Sequence, residues 1–398
     1  MKILLISQYF YPENFKGNDI AFHLAEKGYD VTVLTGKPNY SKDNFFEGYN
    51  FFNKNYEVID GVKIYRSFLI PRGKSNLQLV LNYISWIISS CIYAVYLGVF
   101  KKYDKVFVQQ LSPVTVGLPG LIVSKLNKIP MYFWVLDLWP ESLSGGGGVS
   151  NKKILSFFER LVKLFYKNSY KILISSLGFK QSIINKGDFE GKIIYFPNWA
   201  EDTISNGNLS YTIPQLPEGF KIVFAGNIGE AQDMETIMSA ALLLKDTDVK
   251  IILIGDGRKM SYVKEFIKNN NLTETVYLMG RYPLEAMSAF FNKADLLMVS
   301  LKDDKIFNLT LPAKVQAYMS SGKPILGMMN GDGFDTIKKA NCGFCVPASN
   351  VELLAKEMIR ASQMDKNLLN DMGNNGLLFY EKYFQKNVCM NNLENILK

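Results

Sequence analysis

The residues best able to do chemistry cluster at turns in the second half of the chain. Gly226-Asn227-Ile228-Gly229-Glu230-Ala231-Gln232-Asp233 lies between a strand-like run and a helix-like one. Glycines there let a backbone approach a ligand, and a helix N-terminus favours phosphate oxygens. The segment lacks G-x-G-x-x-G spacing, so a plain tight turn is its other reading. Gly255-Asp256-Gly257-Arg258 closes the next strand, where Arg258 either meets a phosphate or opens a solvated helix. In Leu309-Thr310-Leu311-Pro312-Ala313-Lys314, Thr310 is the expected cap and Pro312 fits the first turn of a helix carrying Gln316. Free first-turn N–H groups and Lys314 would receive a diphosphate; otherwise this is a well-capped helix with a solvent-facing lysine. Arg281 is assigned to the same donor-type site.

The first half offers two loops. Tyr9-Phe10-Tyr11-Pro12-Glu13, with Gly17, follows the first strand-like run, and Asp137-Leu138-Trp139-Pro140-Glu141-Ser142 follows the run 130–136. Carboxylates, an indole and the glycines 145–148 read as a substrate surface with a mobile loop, or as ordinary helix caps. Three other features carry little. Cys342-Gly343-Phe344-Cys345 has no second pair or histidine beside it, which argues against zinc. Asp246-Thr247-Asp248 enters a strand from its amino end, the wrong edge for a metal-assisted site. His23, the only histidine, sits mid-helix and reads as structural.

These residues need a scaffold, and the composition allows one. The 398 residues are 48% apolar and 21% charged, enough for two or three cored domains and too apolar for disorder. One histidine argues against a Ser-His-Asp hydrolase, and four cysteines form no disulfide framework. The net charge of +8 lies in short clusters without an arginine-rich tract. That suits an anionic small substrate or membrane face better than nucleic acid. The opening MKILLISQYF lacks a signal-peptide layout and reads as a strand.

Strands are expected at 2–8, 30–35, 105–109, 130–136, 171–175 and 192–196, with helix-length segments between them. Near-continuous apolar strands imply parallel sheets covered on both faces. After the polar stretch 200–219 the alternation restarts, with strands at 220–225, 249–254, 275–278, 296–300, 324–327 and 343–346. The expected architecture is α/β: a domain over 1–200, a second over 201–375, and an amphipathic helix over 376–398. Ser75–Phe100 carries no charge and is flanked by Arg72, Lys74, Lys101 and Lys102. Three readings stand for it: a helix pair dipping into one leaflet, a buried helix, or a true span. Trp86 and Val95 are its expected lipid-facing positions, whereas Leu79, Leu81, Ile84, Ile87, Ile88 and Ile92 would be inside if it is core.

KILLISQYFYPE, DLWPES, PNW, FAGNIGEAQDMETI, LIGDGRK and TLPAKVQAYMSSGKPIL, in this order, resemble a family-4 glycosyltransferase along the whole chain. The branch is similar to bacterial N-acetyl-L-fucosamine transferases of O-antigen and capsule synthesis. The resemblance implies the GT-B fold, two Rossmann-like doubly wound domains facing a cleft. The nucleotide-sugar would sit in the carboxyl domain, the acceptor in the amino domain, and the last helix would cross back. It also implies retention of configuration and no metal or other cofactor.

The implied donor set is Gly226, Asn227, Gly229, Gln232, Gly257, Arg258, Arg281, Thr310, Leu311, Pro312, Lys314 and Gln316. The implied catalytic pair is Asp137 and Glu141, and the acceptor set is Glu13, Gly17 and Trp139. Where the wider family has Arg and Lys on the diphosphate this chain has Asn227 and Gln232, and its two Glu fall on Asn308 and Gln316. Asp137 lies near the place of a frequent His. The implied reaction moves an N-acetylated hexosamine or deoxyhexosamine, UDP-linked, to a polyprenyl-diphosphate-linked saccharide at the cytoplasmic membrane face. An epimerase of the same fold and an inactive scaffold paralogue are the alternatives; a dehydrogenase lacks its glycine fingerprint.

Overall fold

The computed structural model describes residues 1–40, 43–145, 148–201, 204 and 211–398. The central glycines of the 145–148 run and much of the polar stretch after 200 lie outside the described residues. The chain divides into two units: Met1–Ser175 with Phe179–Phe196 and Asn392–Lys398, and Ser176–Gly178 with Pro197–Asn391. The main boundary thus falls at 196/197, four residues before the expected one.

In the first unit, eight strands among the described residues form one sheet: β1 Lys2–Ile6, β2 Asp30–Gly36, β3 Tyr56–Ile59, β4 Val62–Ser67, β5 Lys105–Gln110, β6 Met131–Val135, β7 Lys171–Ile174 and β8 Ile193–Tyr195. Their order is β3-β4-β2-β1-β5-β6-β7-β8. All pairs are parallel except β3 with β4. Ile3 to Ile6, Val106 to Val108 and all of β6 are buried, as strands covered on both faces must be. The β3–β4 hairpin was not anticipated. Its signal was present: Asp60-Gly61, both at positive φ, is a two-residue turn between two short β-prone runs.

The second unit holds β9 Phe220–Ala225, β10 Val249–Ile254, β11 Val276–Gly280, β12 Leu296–Ser300, β13 Ile325–Met328 and β14 Gly343–Val346. They are parallel throughout, in the order β11-β10-β9-β12-β13-β14. Renumbered from β9, this is the 3-2-1-4-5-6 order of a dinucleotide-binding sheet.

Three expectations about helices change. The terminal segment is two helices, Lys366–Tyr383 and Lys386–Leu397, and only residues 392–398 belong to the first unit. The break follows the amides of Phe384 and Gln385, which both donate back to the Tyr380 carbonyl. Ser75–Phe100 is one helix, not a pair, spanning Asn76–Phe100 behind a Ser75–Gln78 capping box.

That helix is inverted relative to an ordinary amphipathic one. Its inner line holds Asn82, Trp86, Ser90, Ala94, Leu97 and Gly98. Asn82 accepts from Gln8 Nε2 and donates to Asn39 Oδ1 and the Ile70 carbonyl. Leu77, Leu81, Ile84, Ile88, Ile92, Val95, Val99 and Phe100 point outward and are exposed. Trp86 is therefore core and not lipid-facing, while Val95 is on the outer face. Of the residues named for a core helix, Leu81, Ile84, Ile88 and Ile92 are outside.

Candidate active site

Ligands of an open α/β sheet bind beyond the carboxyl ends of its strands, where the strand order reverses. In the second unit that point lies between β9 and β12. The turns after β9 and β10 meet there as bare backbone. A Cβ on Gly255 would lie 1.9 Å from the Gly226 carbonyl oxygen, and both glycines have φ +135°. No side chain fits, and the backbone must be glycine. The Ile228 amide then donates to the Asp256 carbonyl, and the Lys259 amide to the Ile228 carbonyl, which locks the two turns together.

Beside this double turn is a cavity of about 490 Å³. Gly226, Asn227, Gly255 and Asp256 form one side, Lys314, Ala317 and Tyr318 another, and Tyr282, Leu284, Met287 and Phe291 an apolar wall. Tyr318 fixes the end of β9, its hydroxyl accepting from the Ala225 amide at 3.1 Å. Lys314 enters from the second residue of the helix Ala313–Ser320. Its ammonium lies 3.7 Å above the Phe224 ring, and a Cβ on Gly226 would touch its Nζ at 2.8 Å. Burial lowers the Lys314 ammonium to about 7, with no carboxylate among the described residues offsetting it.

The other expected donor residues scatter around this centre. Arg258 is exposed and does not line the cavity; Arg281 does, its Nε 3.9 Å from Asp256 Oδ2. Lys259 and Lys302 are committed to Glu230 and Glu235, with Lys259 at 2.8 and 2.6 Å. Asn227 and Gln232 face each other at 3.4 Å across Gly229. Gly257 packs its backbone on the Ile228 carbonyl. Gln316 is buried and donates to the Asn198 carbonyl at 2.8 Å, leaving its own Oε1 without a partner among the described residues.

The expected cap is corrected. Pro312 occupies the N-cap position, and the Thr310 hydroxyl donates back to the Ile306 carbonyl at 2.8 Å. The short helix Lys305–Leu309 ends beside Thr310, so its hydroxyl serves that end instead. The Leu311 amide is taken by the Ser176 hydroxyl at 3.0 Å.

In the first unit the strand order reverses between β1 and β5. Glu13, 4% exposed, receives the Asn39 and Tyr40 amides on one oxygen. Burial outweighs these bonds and pushes its carboxyl up to about 7. Gly17 lies against Gln109, whose amide oxygen and nitrogen are buried without partners among the described residues. After β6, Asp137 Oδ2 accepts from the Trp139 indole at 3.1 Å, and Trp139, 5% exposed, packs on Phe158. Trp139 therefore holds Asp137 in place and presents little surface to an acceptor. Glu141 is tied to the Lys186 ammonium and the Ser182 hydroxyl, the geometry of a strut.

Two features around the β1 loop carried no sequence signal. Arg66, fully buried, donates to Glu57 at 2.6 Å and to the Tyr11 carbonyl. Arg72 lies among the rings of Tyr9, Tyr40 and Tyr83. Their partners come from separate segments, which only the folded chain assembles.

Residues 219–364 match the family model described as Glycosyl transferases group 1. Both glycine turns and every cavity residue named above fall inside that range. These matches point to a glycosyltransferase. The chain is 24% identical over 310 residues to the probable glycosyltransferase WbjE of Pseudomonas aeruginosa, covering 75% of this chain and 76% of that protein. It is 21% identical over 365 residues to the amylovoran biosynthesis glycosyltransferase AmsK of Erwinia amylovora, covering 88% of each. Among solved structures, Anabaena Alr3699/HepE in complex with UDP and glucose superposes with a TM-score of 0.67 at 16% identity, over 100% of this chain and 99% of that one. The fold is GT-B, two Rossmann-like domains in series.

Proposed function

We propose that this glycosyltransferase moves a sugar from a nucleotide-sugar, UDP-linked, to a lipid-linked saccharide in surface-polysaccharide synthesis, with retention and without a metal. The observation that carries the reading is Lys314. It is an ammonium without a carboxylate partner among the described residues, pressed against a bare glycine turn at the switch point of a six-stranded Rossmann sheet. Cleavage of the sugar–phosphate bond builds negative charge on the leaving diphosphate, and a preorganised cation there lowers the barrier. The apolar wall of Tyr282, Leu284, Met287 and Phe291 suits the base and ribose. The UDP and glucose in the Anabaena structure, and the amylovoran assignment of the Erwinia relative, support donor and pathway class.

On the acceptor side, Asp137, oriented by Trp139, is the carboxylate assigned to the sugar cation or the acceptor hydroxyl. The leaving phosphate oxygen takes the acceptor's proton, so no side-chain base is required. The outward apolar face of Asn76–Phe100, bracketed by Lys74, Lys101 and Lys102, supports peripheral attachment to an anionic bilayer. An N-acetylated hexosamine or deoxyhexosamine is the proposed sugar, on resemblance.

A thermal-shift panel of UDP-, GDP- and dTDP-sugars tests the donor, since a ligand stabilises the state that binds it. A shift with the UDP-sugars alone is expected. Stabilisation by none of the three would end the reading. Sugar transfer that vanishes with EDTA and returns with Mn²⁺ would overturn the metal-free mechanism.

A further inference from the structure

Arg72 is a cation with spare donors and no counterion among the described residues. Its guanidinium carbon lies 4.9 Å from the Tyr40 ring centroid, 5.8 Å from Tyr9 and 5.9 Å from Tyr83. One nitrogen donates to the Tyr9 hydroxyl at 3.0 Å, and no ion pair forms at Arg72 among the described residues. A guanidinium has five N–H donors in a planar fork, and ring faces hold its charge without using them. The cage fixes the fork and leaves donors for an oxyanion.

Its place in the first unit gives the anion a source. Arg72 follows β4 and stands three residues before Ser75, the cap of the outward-apolar helix. Tyr83 lies on that helix, on the side of Tyr9 and close enough to Asp137 to feel its charge. Cation, helix and carboxylate therefore share one end of the sheet. A molecule with its tail among Leu77, Leu81 and Ile84 and a phosphate at Arg72 would bring the sugar beyond that phosphate toward Asp137.

We propose that Arg72, caged by Tyr9, Tyr40 and Tyr83, is the seat for the phosphate ester of a membrane-anchored acceptor. This rests on the glycosyltransferase reading and adds to it the residue that holds the acceptor's charge. The fork accounts for an arginine here: it grips a phosphate through two parallel N–H donors, which a lysine cannot do. An ordinary anionic headgroup offers the same chemistry, so the test must separate the two.

Flotation of the full-length protein is measured with three vesicle types. These are phosphatidylcholine alone, phosphatidylcholine doped with a polyprenyl diphosphate, and phosphatidylcholine mixed with phosphatidylglycerol. The wild type should bind the diphosphate vesicles more tightly than phosphatidylcholine alone. Arg72→Ala should lose that increment by roughly tenfold or more, keeping its binding to phosphatidylglycerol vesicles and its thermal shift with UDP. Arg72→Lys, which keeps the charge without the fork, should fall between; it also decides the matter if the alanine variant does not fold. Equal losses on the diphosphate and phosphatidylglycerol vesicles would mean a general headgroup contact and overturn the proposal, as would unchanged binding by both variants. A wild type that shifts with UDP but ignores the polyprenyl diphosphate would also overturn it, leaving the glycosyltransferase reading in place. Absence of any shift with UDP-, GDP- and dTDP-sugars would remove that reading itself.

Discussion

Burial shifts two candidate-site residues, Lys314 and Glu13, in opposite directions. A diphosphate beside Lys314 favours its charged form, and burial holds the free ammonium at about 7. Above pH 7 the free protein loses that proton while the complex keeps it, so UDP-sugar affinity should fall with rising pH, up to tenfold per pH unit. Calorimetry between pH 6.5 and 8.5 reads this directly. Lys314→Ala should weaken binding roughly ten- to hundredfold near neutrality and flatten the pH dependence. Equal affinity of variant and wild type would remove Lys314 from the diphosphate. Glu13 is the opposite case. Its folded carboxyl titrates near 7, against 4.5 for the ordinary group, so the folded state binds more protons between those values and stability drops as pH rises across them. Glu13→Gln removes that penalty and keeps an oxygen for the Asn39 and Tyr40 amides. We expect it to stabilise the protein by roughly 1–3 kcal/mol at pH 8 and by nothing near pH 4, as read by denaturant titration.

At the scale of one element, the Asn76–Phe100 helix sorts its residues opposite to hydropathy. Its polar groups bond inward, as Asn82, Ser85 and Ser89 do, and most of its large aliphatic ones, Leu97 apart, face out. Ile88 and Ile92, 59% and 65% exposed, are positions where a charge leaves the core packing intact and would oppose the proposed membrane contact. Ile88→Asp with Ile92→Asp should release the protein from anionic vesicles and leave its unfolding transition unchanged. Trp86→Asp places an unpaired carboxylate in the core and should unfold the first unit. Retention of the double variant on vesicles would place the attachment elsewhere.

At the scale of the whole chain, the last residues belong to the first unit although the helix that carries them begins outside it. Leu393 and Leu397 are fully buried, His23 pairs with Glu394 at 2.8 Å, and Lys105 donates to the Leu397 carbonyl. Each buried leucine is worth about 1.5–3 kcal/mol. Deleting 392–398 should therefore lower the melting temperature of the first unit in calorimetry and leave the UDP-dependent transition of the second in place. A first unit that melts unchanged would show that these contacts do not hold it.

The alternation of strands and helices outside the β3–β4 hairpin, the two Rossmann-like sheets and the glycine turns were legible in the sequence, because apolar runs, turn residues and helical spacing are local properties. For Lys314 the sequence indicated a helix start after Pro312 and left a solvent-facing side chain open; its burial against Gly226 and the Phe224 ring was decided by packing. The rest depended on distance in three dimensions. Arg258 and Arg281 have the same chemistry, and only the packing after β10 and β11 decides that Arg281 lines the cavity. Glu141 and Asp137 are four residues apart, yet Lys186, far along the chain, claims one and not the other. Mean hydropathy gave the 76–100 helix its character without its orientation, which was set by Gln8, Asn39 and Ile70 meeting Asn82. Burial, partner and facing are properties of pairs distant in sequence, and they exist only once the sheet has brought those pairs together.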